Sequence, residues 1–258
     1  MRLKICGMKL NMAEVGQLQP DYLGFIFYKG SPRYCEEQAT FAEELKALPE
    51  EIKKVGVFVD AEISDILAKI DHFKLNIIQL HGNESAAYCE KLKAELKSKL
   101  SFAERIEVPR TEPVKIPRNE PVEVPRTEPV EVPRTEPVEV LRTEPVEVWK
   151  VFGIKDEFNF SILKDYEPLV DKFLFDTKGK AKGGNGYTFD WSVLKAYPSK
   201  KPFILSGGIG PQELDKLKEL SKTDLPLYGI DVNSKFETEP GSKDVKLLRD
   251  FKEKLLQV

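Results

Sequence analysis

The chain has 258 residues and a formal net charge of −3, with 41% hydrophobic and 32% charged residues, the profile of an ordinary globular protein. No run approaches ~20 consecutive apolar residues, which excludes a spanning helix, and the near-neutral balance argues against nucleic acid as the main partner. The start, Met1 to Cys6, lacks the apolar run of a secretory signal, and three cysteines without CxxC spacing predict a reduced, cytoplasmic chain with no disulfide framework.

Short apolar or β-branched runs alternate with charged amphipathic stretches. In chain order the predicted strands are Arg2–Cys6, Tyr22–Phe27, Lys54–Val59, Asn76–His81, Val148–Gly153, Lys172–Thr177, Pro202–Ser206 and Leu227–Val232. Most are nearly continuous apolar runs, as parallel strands covered on both faces require. Helical patterns lie between them. Glu36–Leu48 repeats Ala39, Ala42, Leu45 and Leu48 on one face, and Glu84–Leu100 carries Ala87, Leu92 and Leu96. Pro211–Leu220 opens with proline at the first helical position. Ser242 is the predicted cap of the last helix, with Asp244 in its first turn. Less regular helices are expected at Asp60–His72, Phe160–Lys164 and Phe189–Ala196.

Between the fourth helix and the fifth strand the chain repeats every eight residues. Five copies run from Val108 to Glu147, beginning VPRTEPVK and ending VLRTEPVE, and hold 9 of the 18 prolines. They carry six basic residues and nine glutamates, so the whole −3 lies within them. Proline at nearly every fourth position removes amide donors and disfavours helix, and the scarcity of large apolar side chains leaves little surface to offset ordering entropy. Residues 108–147 are therefore expected to form an extended or disordered insertion within a single domain spanning 1–258. A proline-recognising partner is the functional alternative for this segment.

Eight strands alternating with about eight helices point to the α/β class and a (β/α)8 TIM barrel; a doubly wound sheet lacks support because no GxGxxG follows the first strand. In such barrels the chemistry sits where strands end. Those ends are Cys6-Gly7, Tyr28 to Arg33, Gln79-Leu80-His81-Gly82, Asp176-Thr177 with a glycine-rich loop at Lys178–Gly186, Ser206-Gly207-Gly208-Ile209, and Asp231-Val232-Asn233-Ser234.

Taken together, Lys4-Ile5-Cys6-Gly7, Gly24-Phe25-Ile26-Phe27 with Ser31-Pro32-Arg33, Gln79-Leu80-His81-Gly82, Phe175-Asp176-Thr177 with Gly183-Gly184-Asn185-Gly186, Leu205-Ser206-Gly207-Gly208-Ile209 and Asp231-Val232-Asn233-Ser234 resemble the phosphoribosylanthranilate isomerases. The resemblance covers essentially the whole chain except the repeat. It implies a (β/α)8 barrel of tryptophan biosynthesis. It also implies an Amadori rearrangement of N-(5-phosphoribosyl)anthranilate to 1-(2-carboxyphenylamino)-1-deoxyribulose 5-phosphate.

The resemblance also implies roles. Asp176 matches the general acid that opens the furanose ring, a task that requires surroundings favouring its protonated form. Cys6 matches the base that takes the proton from C2 of the sugar, as a thiolate favoured by nearby positive charge. Arg33 offers a fork for the anthranilate carboxylate. Gly207 and Gly208, with Asn233 and Ser234 opening a short helix, supply the phosphate site. Asp231 matches a position near the substrate's amino group, and Gln79 and His81 match pocket positions without an assigned role. Lys235 stands where many members carry glycine.

No cofactor and no metal are expected, because no Cys/His cluster has ligand spacing and no Walker or dinucleotide fingerprint occurs. The expected partner is a small phosphosugar-anthranilate substrate, with neither nucleic acid nor membrane, and association with other tryptophan-pathway enzymes is left open. Cys35, Cys89 and His72 read as structural or surface residues, and Asp60 as a helix cap. Two other readings remain. One is the histidine-pathway aminoaldose isomerase, which uses aspartate on strand 1 where this chain has Cys6. The other is a non-enzymatic barrel whose proline-rich segment recruits a partner.

Overall fold

The computed structural model describes residues 1–105, 145–155, 157–177 and 188–257. Eight parallel strands close a barrel in sequence order: β1 (Arg2–Ile5), β2 (Tyr22–Ile26), β3 (Lys53–Phe58), β4 (Ile77–Leu80), β5 (Glu147–Ile154), β6 (Lys172–Thr177), β7 (Phe203–Leu205) and β8 (Leu227–Val232). β8 pairs back onto β1, with Lys4 opposite Asp231. Every predicted strand is present, with each end within one residue of its expected position.

The apolar runs work because alternate residues serve two layers. On β2, Leu23 and Phe25 face the surrounding helices, while Tyr22 points into the barrel. There Tyr22 packs with Val55, Ile77, Trp149, Val151, Leu174 and Ile204. Tyr22 meets the Trp149 ring edge-on at 5.1 Å. This plug fills the lower barrel beneath the upper ends of the strands.

Outside the sheet run α1 (Met12–Gly16), α2 (Phe41–Lys46), α3 (Ile63–Phe73), α4 (Ala86–Arg105), α5 (Leu214–Ser221) and α6 (Val245–Leu255). In α3 the buried face is Ile66, Ile70 and Phe73, and the helix stops at Lys74 in the left-handed conformation. No helix among the described residues is long and apolar enough to cross a membrane.

Several local expectations give way to tertiary demands. The helix expected over Glu36–Leu48 is a 3-10 turn at Cys35–Glu37 followed by the shorter α2. Tyr34 is bridged to Ile26 and Cys35 is buried, so the chain is tied to the sheet and must extend at Gln38 before the helix starts. Phe160–Asp165 and Trp191–Ala196 are 3-10 segments, each begun by an Asn159 or Asp190 side chain accepting from the amide two residues on. Ser242 does not cap α6: it lies in a short antiparallel hairpin, β9 (Glu237–Glu239) and β10 (Ser242–Lys243), and Asp244 accepts from Leu247 N instead.

The repeat lies outside the described residues except for Pro145–Glu147. Glu147 opens β5, where its carboxylate accepts from Lys172 Nζ at 2.6 Å and Trp149 Nε1 at 2.7 Å. The last residue of the repeat therefore belongs to the barrel. The glycine-rich loop at Lys178–Gly186 also lies outside the described residues.

Candidate active site

The barrel opens at the C-terminal ends of its strands into a cleft of about 720 Å³, measured to its open mouth. All ten residues singled out from the sequence line it: Cys6, Arg33, Gln79, His81, Asp176, Gly207, Gly208, Asp231, Asn233 and Ser234. Tyr28, Ser31 and Lys235 complete its rim.

Cys6 follows β1 and is buried, as are the two other free thiols, Cys35 and Cys89. Burial pushes the Cys6 thiol above its ordinary range, and Asp231 adds to this, while the Lys4 and Lys243 ammonium groups work against it. Among these groups desolvation outweighs the two cations. Lys4 itself is 1% exposed and donates to Asp231 Oδ1 at 2.9 Å. Its ammonium is held protonated, because Asp231 and Cys6 outweigh the opposing cost of burial. Burial in turn pushes the Asp231 carboxyl up, and Lys4 opposes that.

Asp176 ends β6 almost completely buried. Its Oδ1 accepts from Thr177 N at 2.9 Å, and its Oδ2 lies 3.3 Å from His81 Nε2. His81 therefore gains a partner that its sequence position did not indicate. Gln79 is 1% exposed, and its Oε1 has no hydrogen-bond partner. A buried carboxamide oxygen left unpaired beside a cleft is a site waiting for a donor. With Glu62 at the N-cap of α3, Asp60 stands outside that helix. It takes φ +49 and accepts from Asn83 N, bracing the loop after β4.

Arg33 is not the free fork the sequence suggested. Its Nε donates to both Glu237 oxygens at 2.9 and 3.0 Å, and Nη2 also reaches that carboxylate. Nη1 makes no bond to any described residue and is left for a ligand. Burial alone would raise the Glu237 carboxyl, but Arg33 and Lys243 hold it below the usual glutamate range. Lys243 is fully buried and donates to Glu237 Oε1 at 2.7 Å and Asn233 Oδ1 at 2.8 Å. The β9–β10 hairpin thus ties Arg33 to Asn233. A side chain at Gly7, which has φ +73, would come within 2.6 Å of Arg33 Cδ and 2.7 Å of Asn233 Oδ1, so only glycine fits beneath the pair.

The end of the cleft after β7 and β8, expected from the sequence to take phosphate, is built from backbone. Gly207 and Gly208 have φ +88 and +68, and a Cβ on Gly207 would lie 2.4 Å from Thr177 N. The backbone amides of Gly207, Gly208 and Ser234 donate to no described group. The short helix expected after Asn233 is a single 3-10 turn, Ser234–Phe236. It is too short for an appreciable macrodipole, so any anion there depends on free amides and the exposed Lys235.

Lys4, Glu237 and Lys243 are the residues that sequence reasoning missed. Lys4 had a signal, since it lies two places before Cys6 on a strand and so shares its face. Nothing local marked Glu237 or Lys243. Among the described residues, no group of three or more His, Cys, Asp or Glu is placed to hold a metal ion.

Comparison with known proteins finds relatives over the full length of the chain. The family model described as N-(5'phosphoribosyl)anthranilate (PRA) isomerase matches residues 3–122 and 129–254. The N-(5'-phosphoribosyl)anthranilate isomerase of Parabacteroides distasonis is 34% identical over 264 aligned positions, covering 99% of this chain and 94% of that protein. The crystal structure of the Thermotoga maritima phosphoribosyl anthranilate isomerase superposes with a TM-score of 0.68 at 25% identity, over 100% of both chains. A phosphoribosyl anthranilate isomerase in complex with reduced 1-(o-carboxyphenylamino)-1-deoxyribulose 5-phosphate superposes with a TM-score of 0.65 at 24% identity, again over 100% of both. With a family model matching most of its length and a full-length relative at 34% identity, this chain belongs to the N-(5'-phosphoribosyl)anthranilate isomerase family.

Proposed function

We propose that the cleft performs the family's isomerisation with Asp176 as general acid and Cys6 as general base. The reaction converts N-(5'-phosphoribosyl)anthranilate to 1-(2-carboxyphenylamino)-1-deoxyribulose 5-phosphate, a step of tryptophan biosynthesis. The observation that carries the assignment is that Cys6, Asp176, Arg33 and the Gly207-Gly208 amides, distant in sequence, line one cleft.

The carboxyl of Asp176 gives its proton to the furanose ring oxygen. The C1–O bond breaks as the nitrogen lone pair forms the C1=N iminium. The thiolate of Cys6 then takes the proton on C2. The C–H pair becomes the C1=C2 bond, and the C=N pair returns to nitrogen as an enolamine. The enol loses its hydroxyl proton and C1 gains one, which yields the ketone. His81 beside Asp176 holds that carboxyl toward the ring. Asp231, which lines the cleft and accepts from Lys4 through Oδ1, faces the substrate nitrogen. Gln79 Oε1 accepts from a sugar hydroxyl.

Arg33 Nη1 meets the anthranilate carboxylate, while Glu237 fixes the rest of the guanidinium. The phosphate sits on the amides of Gly207, Gly208, Asn233 and Ser234 beside Lys235, the recurrent position after strands 7 and 8. The substrate is a small molecule, and no cofactor enters any step.

Turnover is read from loss of the substrate's anthranilate fluorescence with the purified chain. Arg33→Ala should raise KM by at least about tenfold, the loss of one charge-assisted hydrogen bond, with a smaller change in kcat. An unchanged KM would remove Arg33 from carboxylate binding. The same assay tests the domain reading, in which 108–147 is an insertion into one barrel. Deleting residues 108–144, which spares Glu147 for β5, should leave kcat and KM within about twofold, in keeping with the tolerance of barrels to insertions on the face opposite the chemistry. Loss of folding or turnover would overturn that reading.

A further inference from the structure

We propose that Lys4 is a positioning residue whose buried ammonium, anchored by Asp231, stabilises the Cys6 thiolate during proton removal from the sugar. The inference rests on the reading of Cys6 as the base. Lys4 lies on β1 and Cys6 directly follows that strand, two residues on, where Cys6 N still donates to Val232 O, so both side chains turn to the same side. They flank one gap. A Cβ built on Gly24 of the neighbouring strand would lie 2.9 Å from Cys6 Sγ and 3.1 Å from Lys4 Nζ. That gap exists because β2 carries glycine there, and it lets the ammonium lie below the thiol rather than being displaced.

Stability gives no reason for this ammonium. Lys4 is among the largest fully buried side chains, in a barrel interior whose lower layer is filled by Val, Ile, Leu and aromatic residues. A buried ion pair is commonly replaceable by apolar residues at no loss, because desolvation cancels the attraction between the partners. Its use is electrostatic: a cation fixed in a dry site stabilises charge that develops next to it. Lys4 keeps its protons throughout, and the proton from C2 moves to Sγ alone.

The charges facing Cys6 come from each packed element. Lys4 on β1 and Lys243 on β10 favour the thiolate, and Asp231 on β8 disfavours it. Asp176 on β6 and His81, directly after β4, act on Asp231 in turn. Of the two cations, Lys243 is already committed to Glu237 and Asn233. Lys4 donates to Asp231 Oδ1 and keeps further donors for the thiolate.

The test is the rate of Cys6 alkylation by iodoacetamide against pH, followed by peptide mass mapping in the full chain, beside the pH profile of kcat/KM. Lys4→Met should move the half-point of Cys6 alkylation up by about one pH unit, about tenfold less thiolate at neutral pH. The rising limb of kcat/KM should move by the same amount, with KM little changed. Lys4→Arg should stay near the parent profile. Should Lys4→Met fail to fold with Asp231 left uncompensated, Lys4→Gln, which keeps a neutral donor for Asp231 Oδ1, should show the same displaced alkylation. An unmoved alkylation profile in either folded variant overturns the inference. Failure of the base reading is separable: full turnover by Cys6→Ser would remove Cys6 from the mechanism whatever alkylation shows.

Discussion

Cys6→Ser should lower kcat by at least ~100-fold while leaving the barrel folded, the lower range for loss of general acid–base catalysis. A hydroxyl is nearly the size of a thiol, and Lys4 beside it can donate to Oγ, so packing at the end of β1 is preserved. Basicity is not: the serine hydroxyl stays protonated under conditions where a thiol ionises. Circular dichroism checks the fold and the fluorescence assay checks turnover. A Cys6→Ser enzyme with more than a tenth of parental kcat would exclude the thiolate from the rate-limiting proton transfer.

The direction of the thiol shift adds a pH dependence. The active form is the thiolate, and burial places the Cys6 pKa above its ordinary value. The deprotonated fraction at neutral pH is therefore small and grows as pH rises. The parental kcat/KM, which reports groups of the free enzyme, should climb with pH from neutrality into the alkaline range. A profile already flat at neutral pH would mean that the free enzyme holds Cys6 as thiolate, contrary to the balance of burial over Lys4 and Lys243.

Asp176→Asn should produce a loss of similar size, at least ~100-fold in kcat, for a different reason. The amide keeps the shape of the carboxyl, and its oxygen can still accept from Thr177 N, so the end of β6 should survive. It has no proton to give the ring oxygen, and ring opening then proceeds unaided. Binding should change little, because the anthranilate and phosphate ends are held by Arg33 and by backbone amides. A kcat loss with KM within about threefold is the expected pattern for an interaction made mainly in the transition state. A rise in KM with kcat preserved would instead make Asp176 a binding residue.

The eight strands were legible because each is a short apolar run that serves both the interior and the helical layer. Their order placed the candidate residues at one end of the barrel, and the cleft gathers all ten. Helix type was less legible where the buried face is short. At Phe160–Asp165 and Trp191–Ala196 a side-chain cap and a few buried residues produce a 3-10 segment that periodicity reads as helix. The capping of α6 by Asp244 rather than Ser242 turned on a hairpin with no hydrophobic signature.

The residue types of the site and the order of the strands that carry them were set by the sequence alone, because apolar runs and strand-end glycines are local features. The state of each functional group was decided only in three dimensions. Arg33 lies far along the chain from Glu237, and Cys6 far from Lys243 and Asp231, so neither the occupied fork nor the raised thiol could be read from neighbours in sequence. Closing β8 onto β1 brings Lys4 against Asp231, and the β9–β10 hairpin carries Glu237 and Lys243 across the mouth. Charge and desolvation act through space, and tertiary closure determines which groups share that space.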